Sequence, residues 1–437
     1  MTLPKDFESY FRARWREEDV LALLQGLDGE PSVSIRVNPR CFAQGANADA
    51  GRAKRGLLAA GAEPEGADGH VPWCPEGFYL KGRPQFTADP LLHAGAYYVQ
   101  EASSMFLAHV LRTVVMPCWP QGITTALDLC AAPGGKSTLL RALLPDDCLL
   151  VSNEPLRARC QVLAENMTKW GHQNVLVTQA YARDIAKALK RKLFFDLILA
   201  DVPCSGEGMM RKEAAAVEQW SPAFVAGCAD LQRSIISDIW PALRPGGILI
   251  YSTCTFNPEE DEENVEWIAH ELGADIISIP VDTGWGIRGD LRREKRSPES
   301  EPGSGEAEVL RCYHFLPGQV RGEGFFCAVL QKHEEAGEAF KKGDFAGALS
   351  KLATLPTDLL DSPDAPRVEL SLEEAVRYLQ REALVLPPDA PRGIVQVCFQ
   401  GQRLGLAKNL GTRANNLYPK EWRIRSSYTT GHTLFPA

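Results

Sequence analysis

Cys204 and Cys254 lie fifty residues apart in matching contexts. Each follows an apolar run that reads as a buried strand. Residues 194–200 lead into Asp201-Val202-Pro203-Cys204, and residues 247–251 lead into Ser252-Thr253-Cys254-Thr255. The carboxyl ends of strands in a parallel sheet share one edge, and ligands bind there. Two thiols on that edge, beside a nucleotide-type loop, point to cysteine chemistry on a bound base. The loop is the stretch from Asp128 to Ser137, in which a strand runs into small residues and then a helix. Its backbone over Cys130, Ala131, Ala132, Pro133, Gly134, Gly135 and Lys136 can approach a ligand closely, and the helix start offers free N–H groups to an anion. Gly135-Lys136-Ser137 invites a phosphate-loop reading, but that motif needs a glycine where Cys130 stands. No G-x-G-x-x-G is present. Glu154 lies twenty residues after Gly134 at the end of the next strand, where an acid accepts hydrogen bonds from ribose hydroxyls. Asp184 has two readings, a contact to an adenine amino group or an N-cap for a helix at 185–190.

The elements that must position these residues follow from periodicity and breakers. Residues 6–25 carry helical spacing, and 32–39 read as a strand ended by Asn38-Pro39. A helix is expected over 101–115. From about residue 124 strands and helices alternate, with strands at 124–129, 147–153, 174–179, 194–200, 246–252 and 274–279. Helices are expected at 136–144, 155–170, 222–243 and 258–272. That alternation makes the core an α/β doubly wound Rossmann-like sheet. Cys312–Tyr313 with 324–330 reads as a closing antiparallel hairpin. The Gly/Ala/Glu-rich stretch 44–69 holds a short helix at most, and 291–307 reads as an exposed low-complexity insertion.

Composition sets the frame. The 437 residues fit two or three domains, with 45% hydrophobic and 24% charged residues and a net charge of −9. Residues 1–30 contain no apolar signal core, and no run reaches the length of a membrane span. Twelve cysteines without such a signal fit a reducing cytoplasm. No Cys-x-x-Cys pair or zinc-spaced cysteine–histidine cluster occurs, so no metal is expected. Charge is uneven: residues 391–437 hold seven Lys/Arg against one acid, and 334–390 hold six against twelve acids. Four parts are therefore expected. They are an α+β cap at 1–115, an α/β domain carrying the two cysteines at 116–332, an acidic connector at 333–390 and a basic β-rich module at 391–437.

The stretches 128–136, 201–206 and 252–255 resemble motifs I, IV and VI of the Nop/Sun family of RNA cytosine-5 methyltransferases. The likeness extends to Ser34-Ile35-Arg36-Val37-Asn38 and to Gln100-Glu101-Ala102-Ser103-Ser104-Met105. Residues 206–212, with the tail at 405–423, are similar to the bacterial RsmF-type branch that modifies 16S ribosomal RNA. One departure is Pro317-Gly318, where the family carries Pro-His. The resemblance implies an S-adenosylmethionine-dependent enzyme with a PUA-like C-terminal module and an RNA partner, the small-subunit RNA above all. It implies that Cys254 is the nucleophile, that Cys204 assists release of the product, and that Asp201 holds the cytosine edge. It also implies donor contacts from Cys130–Lys136, Glu154, Arg159, Asp184 and Asp201, with Lys136 at the donor carboxylate. Lys212 or a helix start would supply positive potential to the thiolate.

Each feature has a plainer counterpart. Cys130, Cys228 and Cys327 taken singly read as small core residues. The acidic run 259–263 reads as the first turn of a helix with Pro258 at its first position. Trp422 and Tyr418 read as the core of a small barrel before they read as base-stacking rings. Three other functions remain open on the sequence: a transfer-RNA methyltransferase, a non-catalytic RNA-binding ribosome-assembly factor and a phosphate-loop phosphotransferase.

Overall fold

The computed structural model describes residues 2–42, 69–119, 121–190, 194–293, 310–334, 347, 349, 351–425 and 433–434. The helix considered within 44–69 and most of the insertion at 291–307 lie outside the described residues.

Two helices, Phe7–Arg14 and Glu17–Leu27, open the chain. A small antiparallel sheet follows, built from β1 (Val33–Val37), β2 (His70–Val71), β3 (Cys74–Leu80) and β4 (Tyr97–Val99) in the order β2-β3-β1-β4. The helix expected over 101–115 forms over a longer span. A 3-10 turn at Ser103–Met105 leads through Phe106–Val110 and a π-helical stretch at Leu111–Val115 to Met116–Cys118. Its start is capped by Glu101, whose carboxylate accepts the N–H groups of Ser103 and Ser104, each at 2.8 Å. Phe106, Leu107, Val110 and Leu111 bury against the central sheet. This run therefore belongs to the core of the central domain, although 1–115 was expected to form one cap.

The central sheet is mixed, with nine described strands. Its parallel part comprises β5 (Thr125–Asp128), β6 (Leu149–Asn153), β7 (Val175–Gln179), β8 (Phe195–Asp201) and β9 (Leu243–Thr253). The antiparallel additions are β10 (Ala274–Ile277), β11 (Tyr313–Phe315), β12 (Phe325–Lys332) and β13 (Ala353–Leu355). β11 and β12 form the expected hairpin. Runs such as Phe-Asp-Leu-Ile-Leu-Ala form central strands because helices cover both faces. Leu197, Leu199, Ile248 and Ile250 face one core, while Ile198, Ala200, Leu249 and Tyr251 face the other. The path is β10-β12-β9-β8-β5-β6-β7-β13. The chain thus runs outward from β5 through β6 to β7, then returns to the other side of β5 with β8 and β9. That reversal places the topological switch point between β5 and β8, where an open α/β sheet binds ligands.

The C-terminal domain begins earlier than its charge pattern indicated. β14 (Arg367–Glu369) pairs in parallel with β15 (Gly393–Phe399), which continues antiparallel into β16 (Gln402–Asn409) and β17 (Ala414–Asn416). The Leu372–Leu379 helix, opened by a Ser371/Glu374 capping box, buries Ala375, Val376, Tyr378 and Leu379. Much of the expected connector at 333–390 is therefore folded: β13 extends the central sheet, and residues from 367 onward belong to the C-terminal core. Its described acids are exposed, apart from the half-buried Glu374 of the capping box, so a charge count cannot separate it from a linker. No helix among the described residues is long and apolar enough to cross a membrane.

Candidate active site

The switch point brings the two cysteines together. β8 and β9 are parallel neighbours with Asp201 opposite Ser252. The loops leaving them lie side by side, and the Cys204 and Cys254 sulfurs are 3.3 Å apart. Both thiols are free and partly exposed. The hydrogen bond to Cys254, reinforced by burial, holds the Cys204 thiol well above the ordinary cysteine range.

The Cys130–Lys136 loop leaves β5 on the same edge. Gly134 adopts a left-handed conformation (φ 117°) that glycine accepts without strain, and the Gly135–Leu143 helix begins with no side-chain cap. Lys136 lies 2.7 Å from the Asp201 carboxylate, whose other oxygen accepts the Ser252 hydroxyl at 2.8 Å. Burial opposes the Lys136 charge, but Asp201, with Cys254 and Asp128 adding to it, holds the ammonium above its usual range. Lys136 is thus the cation in electrostatic reach of Cys254. Lys212, considered for that part, pairs instead with Glu323 at 3.3 Å.

Glu154 is buried just after β6, where it accepts the Leu156 N–H at 3.0 Å and faces Arg159 at 3.5 Å. Arg159 also donates to the Ala132 carbonyl at 3.0 Å, which ties it to the loop. Asp184 stands apart. It lies in the first turn of the Ala182–Ala188 helix, whose N-cap is Tyr181, so the N-cap reading of Asp184 fails. It lines a surface hollow with Arg183, Lys187 and Ser237, and no hydrogen bond or ion pair joins it to the other candidates among the described residues.

Several residues inside the sequence motifs have a part in this site that the sequence did not assign them. Asp128, at the end of β5, accepts the Ser137 hydroxyl at 2.6 Å, and burial pushes its carboxyl up to about 7. Arg36 is fully buried, donates to Gln100 at 2.8 Å and Thr138 at 2.6 Å, and lies over the Trp170 ring. Its polarity in a strand motif was the available signal. Glu207 and Glu260 are buried between the two cysteine loops. The helix expected from 258 begins at Glu262 with Asp261 as its N-cap, so Glu259 and Glu260 precede its first turn. Glu260 and Asp261 accept hydrogen bonds from Ser205 and Thr253 instead.

Cys228 and Cys327 are buried core thiols, and Cys130 is half-buried with its thiol pushed up by burial. Strand alternation puts Cys312 and His314 on one face near Glu262, with potential ligand atoms within 4.8 Å of one another. Within that group a His314 ring nitrogen and the Glu262 carboxylate share a hydrogen bond of 2.8 Å.

Family models match each folded part of the chain. Residues 3–102 match the N-terminal domain of the 16S rRNA methyltransferase RsmF, 116–331 match the 16S rRNA methyltransferase RsmB/F, and 365–424 match the methyltransferase RsmF PUA domain. The chain is 31% identical over 413 residues to the ribosomal RNA small subunit methyltransferase F of Cronobacter sakazakii, covering 80% of this chain and 84% of that one. The Escherichia coli K12 relative of the same name is 31% identical over 426 residues with the same coverage. A shorter match to the Serratia proteamaculans relative is 36% identical and covers 63% of this chain but 54% of that protein. Among solved structures, a methyltransferase homolog from Pyrococcus horikoshii has a TM-score of 0.54 at 25% identity, covering 74% of this chain and 93% of that one. NSun6 from the same organism shares the fold, with a TM-score of 0.58 at 21% identity over 76% of this chain and 99% of that one. Matched in its N-terminal, central and C-terminal parts, and over most of the length of two relatives, the chain belongs to the RsmB/F family of 16S rRNA methyltransferases.

Proposed function

We propose that this protein methylates carbon 5 of a cytosine in 16S ribosomal RNA, with Cys254 as nucleophile and Cys204 as the base that releases the product. The observation that carries this reading is the pair of sulfurs 3.3 Å apart beside the Cys130–Lys136 loop. The methyl donor of the family is S-adenosylmethionine, which when bound supplies an electrophilic methyl on a sulfonium. The residues present fit it. A left-handed Gly134 and an uncapped helix start suit a close backbone approach, Glu154 is an acid at the ribose position, and buried Asp128 keeps one oxygen, Oδ1, without a partner. Arg159, bonded to the loop at Ala132, holds its outer edge.

The chemistry accounts for two thiols. Carbon 5 of cytosine is too electron-poor to attack a methyl sulfonium unaided. Addition of the Cys254 sulfur to carbon 6 gives an enamine that is nucleophilic at carbon 5. Asp201, anchored by Lys136 and Ser252, meets the polar edge of the ring and favours protonation at nitrogen 3. The methyl is supplied to carbon 5 by the bound donor, and Cys204, whose sulfur is 3.3 Å from that of Cys254, would be on the nucleophile's side of the ring, in reach of the carbon-5 hydrogen. The Cys204 proton is held chiefly by the hydrogen bond to Cys254, and that bond is lost once Cys254 has joined carbon 6. With that bond gone the Cys204 thiol gives its own proton to solvent; the resulting thiolate takes the carbon-5 proton, the ring double bond reforms and Cys254 departs as a thiolate. A target base in an unpaired loop needs little unstacking, and the basic C-terminal domain supplies sequence-independent phosphate contacts. The cytoplasm, where ribosomal RNA is assembled and thiols stay reduced, suits such a pair.

Labelled donor incubated with small-subunit RNA, naked and in the 30S particle, should yield 5-methylcytosine. Methylation of transfer RNA alone would reassign the substrate, and RNA binding with no methyl transfer to any RNA would make the protein an assembly factor. Cys204→Ala should accumulate a covalent protein–RNA adduct, whereas Cys254→Ala should not. An adduct confined to the Cys254 variant would reverse the two roles.

A further inference from the structure

We infer that Glu207 and Glu260 are positioning residues that hold the two reactive sulfurs in register, each carboxylate reaching from its own cysteine loop to the other. The inference rests on the reading of Cys204 and Cys254 as the reacting groups. Glu207 stands three residues after Cys204 and is fully buried. Its Oε2 accepts the Thr255 hydroxyl at 2.5 Å, the Phe256 N–H at 2.7 Å and the Asn257 N–H at 3.1 Å, all just beyond Cys254. Its Oε1 accepts the Trp220 indole at 2.8 Å and the Asn257 amide at 3.0 Å. Glu260 reaches the opposite way. It stands six residues after Cys254, and its Oε2 accepts the N–H of Ser205, the residue after Cys204, at 3.0 Å. Gln232 donates to the same oxygen at 2.6 Å and to the Pro203 carbonyl at 3.0 Å, so the Cys204 loop is held on both sides. Asn257 donates to both carboxylates and joins the two halves.

Neither carboxylate has an ion-pair partner among the described residues; every donor is a backbone N–H, an amide, a hydroxyl or an indole. Buried carboxylates without a cation carry a large desolvation cost, so they are a poor way to gain stability. They do supply acceptors with enough lone pairs to fix several N–H groups at once. The N–H groups fixed here are one residue beyond Cys204 and two and three beyond Cys254. A displacement of about 1 Å in reacting groups can cost on the order of a hundredfold in rate, which gives the arrangement its function.

The test reads sulfur spacing without any RNA. Diamide should close a Cys204–Cys254 disulfide in the whole protein, each thiol giving up a proton and an electron as the N=N bond becomes a hydrazine. Peptide mapping follows the rate. Glu207→Gln and Glu260→Gln place an amide where carboxylate oxygens accept N–H groups. Each should slow closure about tenfold or more and lower kcat by a similar factor, with KM for RNA and donor within about threefold. Thr255→Val removes a single hydroxyl arm and should show the same pattern more weakly; it carries the test where a glutamine variant does not fold. Folded variants that close the disulfide at the parent rate overturn the inference, as does slowed closure with unchanged kcat. Variants that slow closure, in a protein whose parent form methylates no RNA, support the clasp and overturn the proposed function.

Discussion

Gly208 has little room to accept a side chain beside the Cys254 loop. Its N–H donates to the Cys254 carbonyl at 2.8 Å. A Cβ at this position would stand 2.9 Å from the Cys254 carbonyl oxygen, 3.1 Å from that of Glu323 and 3.3 Å from that of Gly324. All three are backbone atoms, so no rotamer change relieves the contact. Gly208→Ala should therefore push the Cys254 loop outward, costing about 1–3 kcal/mol of stability as an overpacked core does. The same shift should lower single-turnover methyl transfer at least tenfold, since about 1 Å of misplacement is costly. Urea unfolding and rapid-quench transfer assays measure the two effects. Parent-like transfer by the alanine variant would mean that the loop yields without moving the sulfur.

Among the elements, the β5–helix–β6 unit carries a titration that reports on folding. Ser137, in the helix, donates to Asp128 at the end of β5 and lies 2.9 Å from Ser152 on β6. Burial pushes the Asp128 carboxyl up to about 7, against about 4 in an unfolded chain. The folded state then binds the proton more tightly. This contribution is complete below about pH 4 and is lost as pH rises towards 7, with a size on the order of 4 kcal/mol. Glu260, also raised to about 7 by burial, adds a loss of the same sign. Asp128→Asn should make stability less dependent on pH between 5 and 8 in urea titrations; an unchanged slope would exclude Asp128 as its source. This unit was legible in the sequence because small residues, a lysine and a hydroxyl after an apolar run can form little else than a strand–loop–helix turn. The clasp was not legible. Glu260 sits in a run of acids whose plainest reading is a first helical turn, and only the later helix start at Glu262 frees it to face Ser205. Likewise, Arg36 reads as an exposed strand charge until Gln100 and Thr138 converge on it from distant parts of the chain.

For the whole molecule, the shared core between the two ends of the chain decides how the domains behave. Phe78, Phe86, Leu91 and Tyr97 from the N-terminal part pack in one cluster with Val368, Tyr378, Leu379 and Val397 from the C-terminal domain. Polar contacts follow the same seam. The Leu434 N–H donates to Asp89 at 2.9 Å, and Gln402 donates to the Cys41 carbonyl at 3.1 Å. Local charge gave no sign of this, because such a seam joins residues hundreds of positions apart. A basic module on a flexible tether would melt by itself and leave the catalytic domain intact. A domain sharing a core should instead unfold with the surface it covers. Tyr378 is fully buried in that core, and its hydroxyl donates to the Leu406 carbonyl at 2.9 Å. Tyr378→Ala should cost about 3–5 kcal/mol, as deletion of a large buried aromatic does. Calorimetry should show the loss as a downward shift of a transition that includes the N-terminal sheet, with Trp73 and Trp170 reporting it in fluorescence. An early isolated transition, with the remaining melt unchanged, would show that the C-terminal domain folds and fails alone. The RNA-binding surface would then be hinged to the thiols rather than fixed relative to them.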